Sequence, residues 1–495
     1  MIYNLSSNQT RKNFLKEHND TIFDIIIIGA GPATYVLYDK LKKKKNILII
    51  ERGSENHKNS LNQNKVESVI SNENYKIKKD SRYFGIGGTG NIWGGVSSYI
   101  EEFEMNERWS KNINLWPISH KEILSFSRKI DNKYGFDIFN QISTNYNNKI
   151  SNYFRKRNFI ANLKPFKFNN SEHYNKCNIL LNAKVDYIDQ KNNLAKVFIG
   201  KFNLQLSSKK IIICCGGLET NFLILKSLKI GKLIKAKNKK IVGKYFMDHP
   251  KFDLGVAEFG HKGKKFIEDV GLKKNKKDIL YTGLSLNKKI QIKKKLLNSY
   301  VRFEKYTFND LKNQILIEKK NKNKIMKYLN ITKIYLKIFK FYLYKLFNKD
   351  FLLEKYKIIL FNEMVPRKEN KIIYIKNNSL EKFKIKYQFS NTEFKTIYLL
   401  KRFLENIDGI TINYKNNMSK KNIIKNLKDS SHHMGGTLMG SNQNNSFVNK
   451  NLEIHGIKNI FICSTSVFPT SGSVNPTMTL CALAARLSKY INKTN

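Results

Sequence analysis

The sequence predicts a mixed α/β protein in which a Rossmann-like, dinucleotide-binding domain packs against a second, strand-rich domain. Three observations carry that expectation. Residues 23–53, FDIIIIGAGPATYVLYDKLKKKKNILIIERG, run from an apolar stretch through glycines and a helix-compatible stretch to a second apolar run ending in an acid, which is the order of a βαβ unit. Residues 251–425 change texture to Lys-rich, strand-like pieces such as NKIIYIKNN and FKIKYQFS. From 426 onward glycine and small residues return, ending in the helix-like NPTMTLCALAARLSKYI. The 495 residues exceed one ordinary compact core, so two intimately packed domains are expected.

The βαβ unit carries the first chemistry. Gly29 permits the tight turn after the strand, and Gly31 lets a pyrophosphate approach backbone N–H groups at the helix N-terminus. Thr34 holds the third glycine position of the fingerprint, and Glu51 follows Gly29 by 22 positions, close to the roughly 20 expected of an acid that accepts a ribose hydroxyl hydrogen bond. The fingerprint does not choose between FAD and NAD. Two more glycine-rich stretches repeat the logic. GIGGTGNIWGG, residues 85–95, brings bare backbone N–H groups close to a flat or anionic ligand, with Ile92 and Trp93 arguing against a merely flexible turn. CCGGLET places Gly216 and Gly217 between a buried strand and a helix, with Glu219 in its first turn. Adjacent Cys214 and Cys215 read as small buried hydrophobes, because neighbouring cysteines rarely close a disulfide.

Charge is the most conspicuous feature of composition and the least informative. Lys plus Arg is 90 against 39 acids, a formal net charge of +51. Lys far outnumbers Arg, the excess is spread along the chain, and Asn and Ile are abundant, as an AT-rich genome would produce. A solvated basic surface is therefore expected, with no specific nucleic-acid site, since Arg is the better bidentate phosphate reader. Five cysteines without C-x-x-C spacing indicate neither a disulfide framework nor a zinc cluster. They fit a reducing, cytoplasmic setting; the N-terminus lacks the apolar run of a secretory signal, and no stretch is long and apolar enough to span a bilayer. Residues 331–347, ITKIYLKIFKFYLYKLF, place Lys333, Lys337 and Lys340 on one helical face and apolar residues on the rest. That is the pattern of an interfacial helix making peripheral membrane contact, and burial against the second domain or a partner subunit produces the same pattern.

The stretch SSHHMGGTLMG, residues 430–440, sets two of nine histidines side by side. Neighbouring side chains diverge, so His432 and His433 do not readily share one metal ion, and no companion ligands are spaced for it. A neutral imidazole suits the removal of an alcohol proton near neutral pH. Asn475, just before Pro476 and Thr477 at the start of the last helix, reads from the bare sequence equally well as a structural cap.

Taken in order, the N-terminal fingerprint, GGTGNIWGG, Trp116-Pro117-Ile118, CCGGLET, VGKYFMDHP at 242–250, H-x-x-G-T at His433–Thr437 and STSVFPTSGSVNPTMTL at 464–480 resemble the glucose-methanol-choline (GMC) oxidoreductase family, with its smaller bacterial sugar and glycoside dehydrogenases the nearest in character. The resemblance implies FAD in a domain interleaved with a mixed or antiparallel-sheet substrate domain, and oxidation of an alcohol, on a sugar or glycoside, to a carbonyl by hydride transfer to the flavin. It implies His433 as the base, Asn475 as its partner on the substrate oxygen, and His432 as a neighbour shaping the site. Gly29, Gly31, Glu51, Gly87, Gly88, Asn91, Trp93, Val185, Gly216, Gly217, Glu219, Ser464, Pro476 and Thr477 are the implied cofactor contacts. Ile92 stands where some relatives attach FAD through a histidine, so the flavin is expected to be noncovalent. Leu438 replaces a common Arg, removing one anion or substrate contact. Ser464 replaces a common Asp or Gly. On this reading residues 1–120, 177–250 and 426–495 form the FAD domain, 121–176 a helical and loop insertion, and 251–425 the substrate domain. An oxidase of the same family and a basic, noncatalytic flavin-fold protein are the competing readings.

Overall fold

A computed structural model of the chain describes all residues except 19, 43–44, 56–68, 72–75, 79, 107–115, 137, 140–152, 171, 175–176, 192–193, 275–276, 306–314, 317–318, 320–322, 347–354, 378–379, 415–416 and 495. Two eight-stranded sheets and one three-stranded sheet organise it. The first sheet runs in the order Ile2–Asn4, Asn178–Leu181, Ile47–Ile50, Ile22–Ile28, Leu204–Ile213, Leu194–Ile199, Tyr187–Lys191, with Ile460–Ile462 also on the Leu204–Ile213 strand. Its centre is parallel, with Ile26 opposite both Leu48 and Ile211, and Ile213 opposite Ile462. These strands are continuous apolar runs because helices cover a parallel sheet on both faces. Ile26, Ile27, Leu48, Ile49, Ile211 and Ile212 are completely buried, each such burial being worth roughly 1.5–3 kcal/mol relative to exposure. Helices Pro32–Leu41, Gly216–Lys229 and Thr477–Lys493 start near the carboxyl ends of these strands, which is where open α/β sheets bind ligands.

The second sheet is antiparallel, ordered Ile410–Tyr414, Lys251–Phe259, Lys355–Phe361, Tyr300–Lys305, Asp278–Leu286, Phe154–Asn162, Val96–Ser97, with Leu272–Lys274 on Asp278–Leu286. Lys251 is opposite Phe361, and Phe361 opposite Tyr300, so these three residues form a row across adjacent strands. Segment 121–176, expected as helices and loops, is corrected here. It contains the rest of helix His120–Tyr134, capped by Ser119, but also Phe154–Asn162, which pairs with Asp278–Leu286 over nine positions. The strand was hidden by its charges: Arg155 and Arg157 point to one face, where they find buried acids. The Lys-rich middle helix spans Lys324–Leu346; residue 347 and the side chains of Lys337 and Lys340 lie outside the described residues. No helix among the described residues is long and apolar enough to cross a membrane.

Candidate active site

A cavity of about 580 Å³ opens between the carboxyl ends of the first sheet and the row Lys251–Phe361–Tyr300 of the second. That volume lies within the roughly 300–1,000 Å³ usual for cofactor and ligand sites. The strand Ile22–Ile28 turns into it at Gly29, whose φ is +94°. A side chain there would be strained, and its Cβ would lie 2.7 Å from the Cys214 carbonyl oxygen. Thr34, at the departed third glycine position, is accommodated because its hydroxyl donates to the Gly29 carbonyl at 2.6 Å. Glu51 borders the cavity, but its carboxylate already accepts the backbone N–H groups of Ala30 (2.9 Å), Gly53 (2.7 Å) and Gly85 (3.0 Å). Burial pushes its carboxyl pKa up, against those three hydrogen bonds. It therefore ties three turns together besides offering an acceptor. The second glycine stretch is held to the first by the Gly87 N–H, which donates to the Ala30 carbonyl at 2.7 Å.

Helix Gly216–Lys229 approaches so closely that a Cβ on Gly217 would stand 2.0 Å from the His433 carbonyl oxygen. The same carbonyl accepts from the Thr465 hydroxyl at 2.7 Å. Glu219 is ion-paired with Arg82 and, at 3.5 Å, with Arg52, so it lines the cavity as part of a charged trio. Gly31, Gly88, Trp93, Val185, Gly216, Pro476 and Thr477 also line the cavity. Gly87, Asn91 and Ser464 do not line it. Asn91 turns its amide back to the Ile86 carbonyl, and the Ser464 hydroxyl caps the short turn Thr465–Val467 by accepting from the Ser466 N–H at 3.2 Å.

The two histidines part company. Asp248 clamps their segment, its carboxylate accepting the N–H groups of Ser430 (3.0 Å) and His432 (2.9 Å). His433 is buried, its ring stacked at 6.0 Å on Phe246. Its Nε2 lies 3.2 Å from Asp429 Oδ1, off the hydrogen-bonding direction and shielded from solvent. His432 is partly exposed at the cavity wall, with Nδ1 3.1 Å from Nδ1 of His249. Nε2 of His249 is 2.8 Å from the Gly472 carbonyl oxygen and 3.2 Å from that of Ser471. Two carbonyls only accept, so His249 carries its proton on Nε2. Burial lowers the His249 pKa and keeps that ring neutral, which leaves its Nδ1 to accept from Nδ1–H of His432. The tautomer of His432 is thereby set, with a lone pair on Nε2. Burial first, and then the neighbouring His249, push its pKa well below the usual histidine value.

Asn475 lines the cavity and makes no side-chain hydrogen bond with the described residues. What positions it was not anticipated from sequence. Glu104 Oε1 accepts from Ser473 N (2.8 Å), Ser473 Oγ (2.6 Å) and Asn298 Nδ2 (2.7 Å). Arg155 pairs with Glu101 at 2.6 Å, and Arg157 with Glu101 at 3.6 Å and Glu104 at 3.4 Å. Arg157 and Arg155 hold the Glu101 carboxyl far below the ordinary range despite burial. The available signal was the pair of charges at i and i+2 in FRKRNFIAN, which a strand directs to one side.

The donor set fits a flavin dinucleotide: two glycine turns and the N-termini of three helices face one cavity, beside a neutral imidazole and an uncommitted amide. No group of metal-ligating side chains occurs among the described residues.

Comparison with known proteins agrees. Residues 403–484 match the family model described as GMC oxidoreductase. On this segment the chain is similar to the GMC oxidoreductases. Individual relatives are distant. Over 62 residues it is 40% identical to 2-methyl-1,2-propanediol dehydrogenase of Mycolicibacterium austroafricanum, a match covering 12% of this chain and 11% of that protein. Its fold is similar to that of pyridoxine 4-oxidase from Mesorbium loti, with a TM-score of 0.57, 11% identity, and coverage of 95% and 99% of the two chains. An FAD-dependent oxidoreductase from Chaetomium thermophilum gives a TM-score of 0.58 at 12% identity over 95% and 99%. Aspergillus oryzae formate oxidase gives 0.56 at 13% over 96% and 99%.

Proposed function

We propose that the chain is an FAD-dependent dehydrogenase that oxidises an alcohol of a small molecule, a sugar or glycoside, to the carbonyl, with His432 as the base. The observation that carries the assignment is the His432–His249–Gly472 chain of contacts. FAD, when bound noncovalently, supplies the hydride acceptor for the carbinol carbon. The hydroxyl proton goes to Nε2 of His432, which is kept neutral by burial, while Asn475 orients the substrate oxygen. The family resemblance points to His433, which also lines the cavity; its Nε2 is shielded beside Asp429, so we assign His433 the supporting role. Gly29, Gly31, Gly88, Val185, Gly216 and Gly217 would hold the dinucleotide, and Ile92 offers no nucleophile for covalent attachment. The five free thiols support a reducing, cytoplasmic setting. A second surface supports peripheral membrane contact: Ile325, Tyr328, Leu329, Tyr335, Leu336 and Phe339 on the helix Lys324–Leu346 are exposed.

The test is anaerobic bleaching of the purified yellow protein across sugars, glycosides and polyols. His432→Ala should slow bleaching about 10²–10⁴-fold while retaining flavin, and His433→Ala should slow it far less. Colourless protein would defeat the flavin reading, and the reverse order of the two variants would return the base to His433. Turnover with oxygen as efficient as with a dye acceptor would make the enzyme an oxidase.

A further inference from the structure

The cavity wall facing the histidines is cationic, and one of its cations, Lys251, has no carboxylate partner among the described residues. Lys251, Phe361 and Tyr300 form one row across three strands, and Arg302, two positions beyond Tyr300, shares its face. Lys251 Nζ stands 5.0 Å from the centroid of the Phe361 ring, and Arg302 Cζ stands 4.8 Å from the same centroid. Phe361 and Tyr300 are buried, so the two cations flank an apolar floor inside the cavity; they are not solvated surface charges. Lys78 adds a third cation to the lining.

The acids nearby are committed elsewhere. Glu304 pairs with Arg302. Asp248 accepts the backbone of Ser430 and His432, and Asp429 accepts the N–H groups of Lys78 and Ser431. Lys251 meets no carboxylate at ion-pair distance among the described residues, and Arg302 Nε is buried without a hydrogen-bond partner. Placing an ammonium in a partly dry wall is costly unless an anion joins it. Burial, then Arg302 and Lys78, lower the Lys251 pKa, as expected of an ammonium that lacks a counter-ion of its own. The dinucleotide phosphates are not that counter-ion. Those phosphates would lie at the Gly29–Gly31 and Gly216–Gly217 turns, whereas Lys251 begins the strand that follows Asp248 and His249, the residues that hold His432.

We propose that the substrate is an alcohol carrying an anionic group, a carboxylate or a phosphate, which Lys251 and Arg302 hold while its hydroxyl lies at His432. This rests on the alcohol-oxidising reading above and narrows it to acidic sugar derivatives and hydroxy acids.

The experiment is anaerobic flavin reduction by the holoenzyme with matched probes: glucose, gluconate and glucose 6-phosphate, then glycerol, glycerate and glycerol 3-phosphate. One anionic member of a set should saturate at a concentration at least tenfold below its neutral parent, and which one does separates carboxylate from phosphate. Raising NaCl from low to 0.5 M should erode that preference, a reading that needs no variant. Lys251→Met should reduce the preference at least tenfold through KM, with Lys251→Arg restoring part of it. Equal use of neutral and anionic members overturns the inference while leaving alcohol oxidation intact. So does a Lys251→Met effect confined to the limiting rate or the flavin potential, since the cations would then serve the cofactor. If no probe reduces the flavin, perturbation of its absorbance by gluconate or glucose 6-phosphate, weakened in Lys251→Met, keeps the anion site and rejects the oxidation. Absence of that perturbation rejects the site.

Discussion

The two large sheets meet the same cavity with different materials. The parallel sheet presents backbone: glycine turns and helix N-termini, with side chains such as Glu51 and Thr34 turned inward to hold those turns. The antiparallel sheet presents side chains: Lys251, Tyr300, Arg302 and Phe361. Backbone recognition suits a cofactor that every catalytic cycle reuses, because its geometry survives most substitutions. Side-chain recognition suits a substrate, because one exchange can change it. On the proposed function the seam between the sheets must then be rigid, since His432 and Asn475 reside on one side and the proposed substrate floor on the other.

The seam is where the comparison breaks most severely. Arg157 is 1% exposed and Glu104 fully buried, so solvent screens little of their interaction. Arg157→Met strands Glu104 in the interior and leaves Glu101 to Arg155 and Lys288, an expected cost of about 3–5 kcal/mol. Chemical denaturation should show that loss. Because Glu104 also holds Ser473, flavin reduction should slow in the protein that remains folded. A loss below about 1 kcal/mol would mean that the carboxylates find other partners and that the seam is not built on this pair.

Acid should weaken the histidine side of the seam with a definite sign. His249 and His432 both have folded pKa values below the ordinary histidine value. Below about pH 6.5 the unfolded chain binds protons that the folded chain refuses, so their stability contribution is complete above that pH and drains away as the pH falls toward the folded values. Each contributes a slope of up to about 1.4 kcal/mol per pH unit in that window. His432→Gln should remove up to one proton from the slope, measured as the urea midpoint between pH 7 and 5. An unchanged slope would show that His432 titrates alike in both states.

Legibility in the sequence follows the same division. The Gly29 turn, the Glu51 strand end and the Gly216 helix start were readable because their signals are local: apolar run, glycine, helix, acid. Strand Phe154–Asn162 was not, since its partner lies at Asp278–Leu286 and only that pairing explains Arg155 and Arg157. Lys251 could not stand out among 90 basic residues. The histidine pair was half readable. Adjacency required the two rings to diverge, and both line the cavity, but the partners that distinguish them, His249 for His432 and Phe246 for His433, lie nearly two hundred residues earlier in the chain. The family resemblance, not the spacing, pointed to His433.

The smallest expected effect on catalysis concerns a region outside both sheets. On the helix Lys324–Leu346, Ile325, Leu329, Leu336, Phe339 and Leu343 are exposed at intervals of three, four and seven residues, a continuous apolar stripe, and Lys333 is exposed as well. Such a stripe is too polar on its other face to enter a bilayer fully and is suited to lie in its surface. Leu336→Asp with Phe339→Asp removes two anchors, each worth roughly 1.5–3 kcal/mol when buried. Flotation with vesicles containing anionic phosphatidylserine should fall from substantial to background, while the rate of flavin reduction stays within twofold of wild type, because neither residue borders the cavity. If wild type and variant float alike, the stripe is not the anchor; if neither floats but the variant alone loses a dimer on size exclusion, the stripe faces another copy of the chain. Either result would leave the two-sheet cavity untouched, which is the sense in which this helix is separable from the enzyme it is attached to.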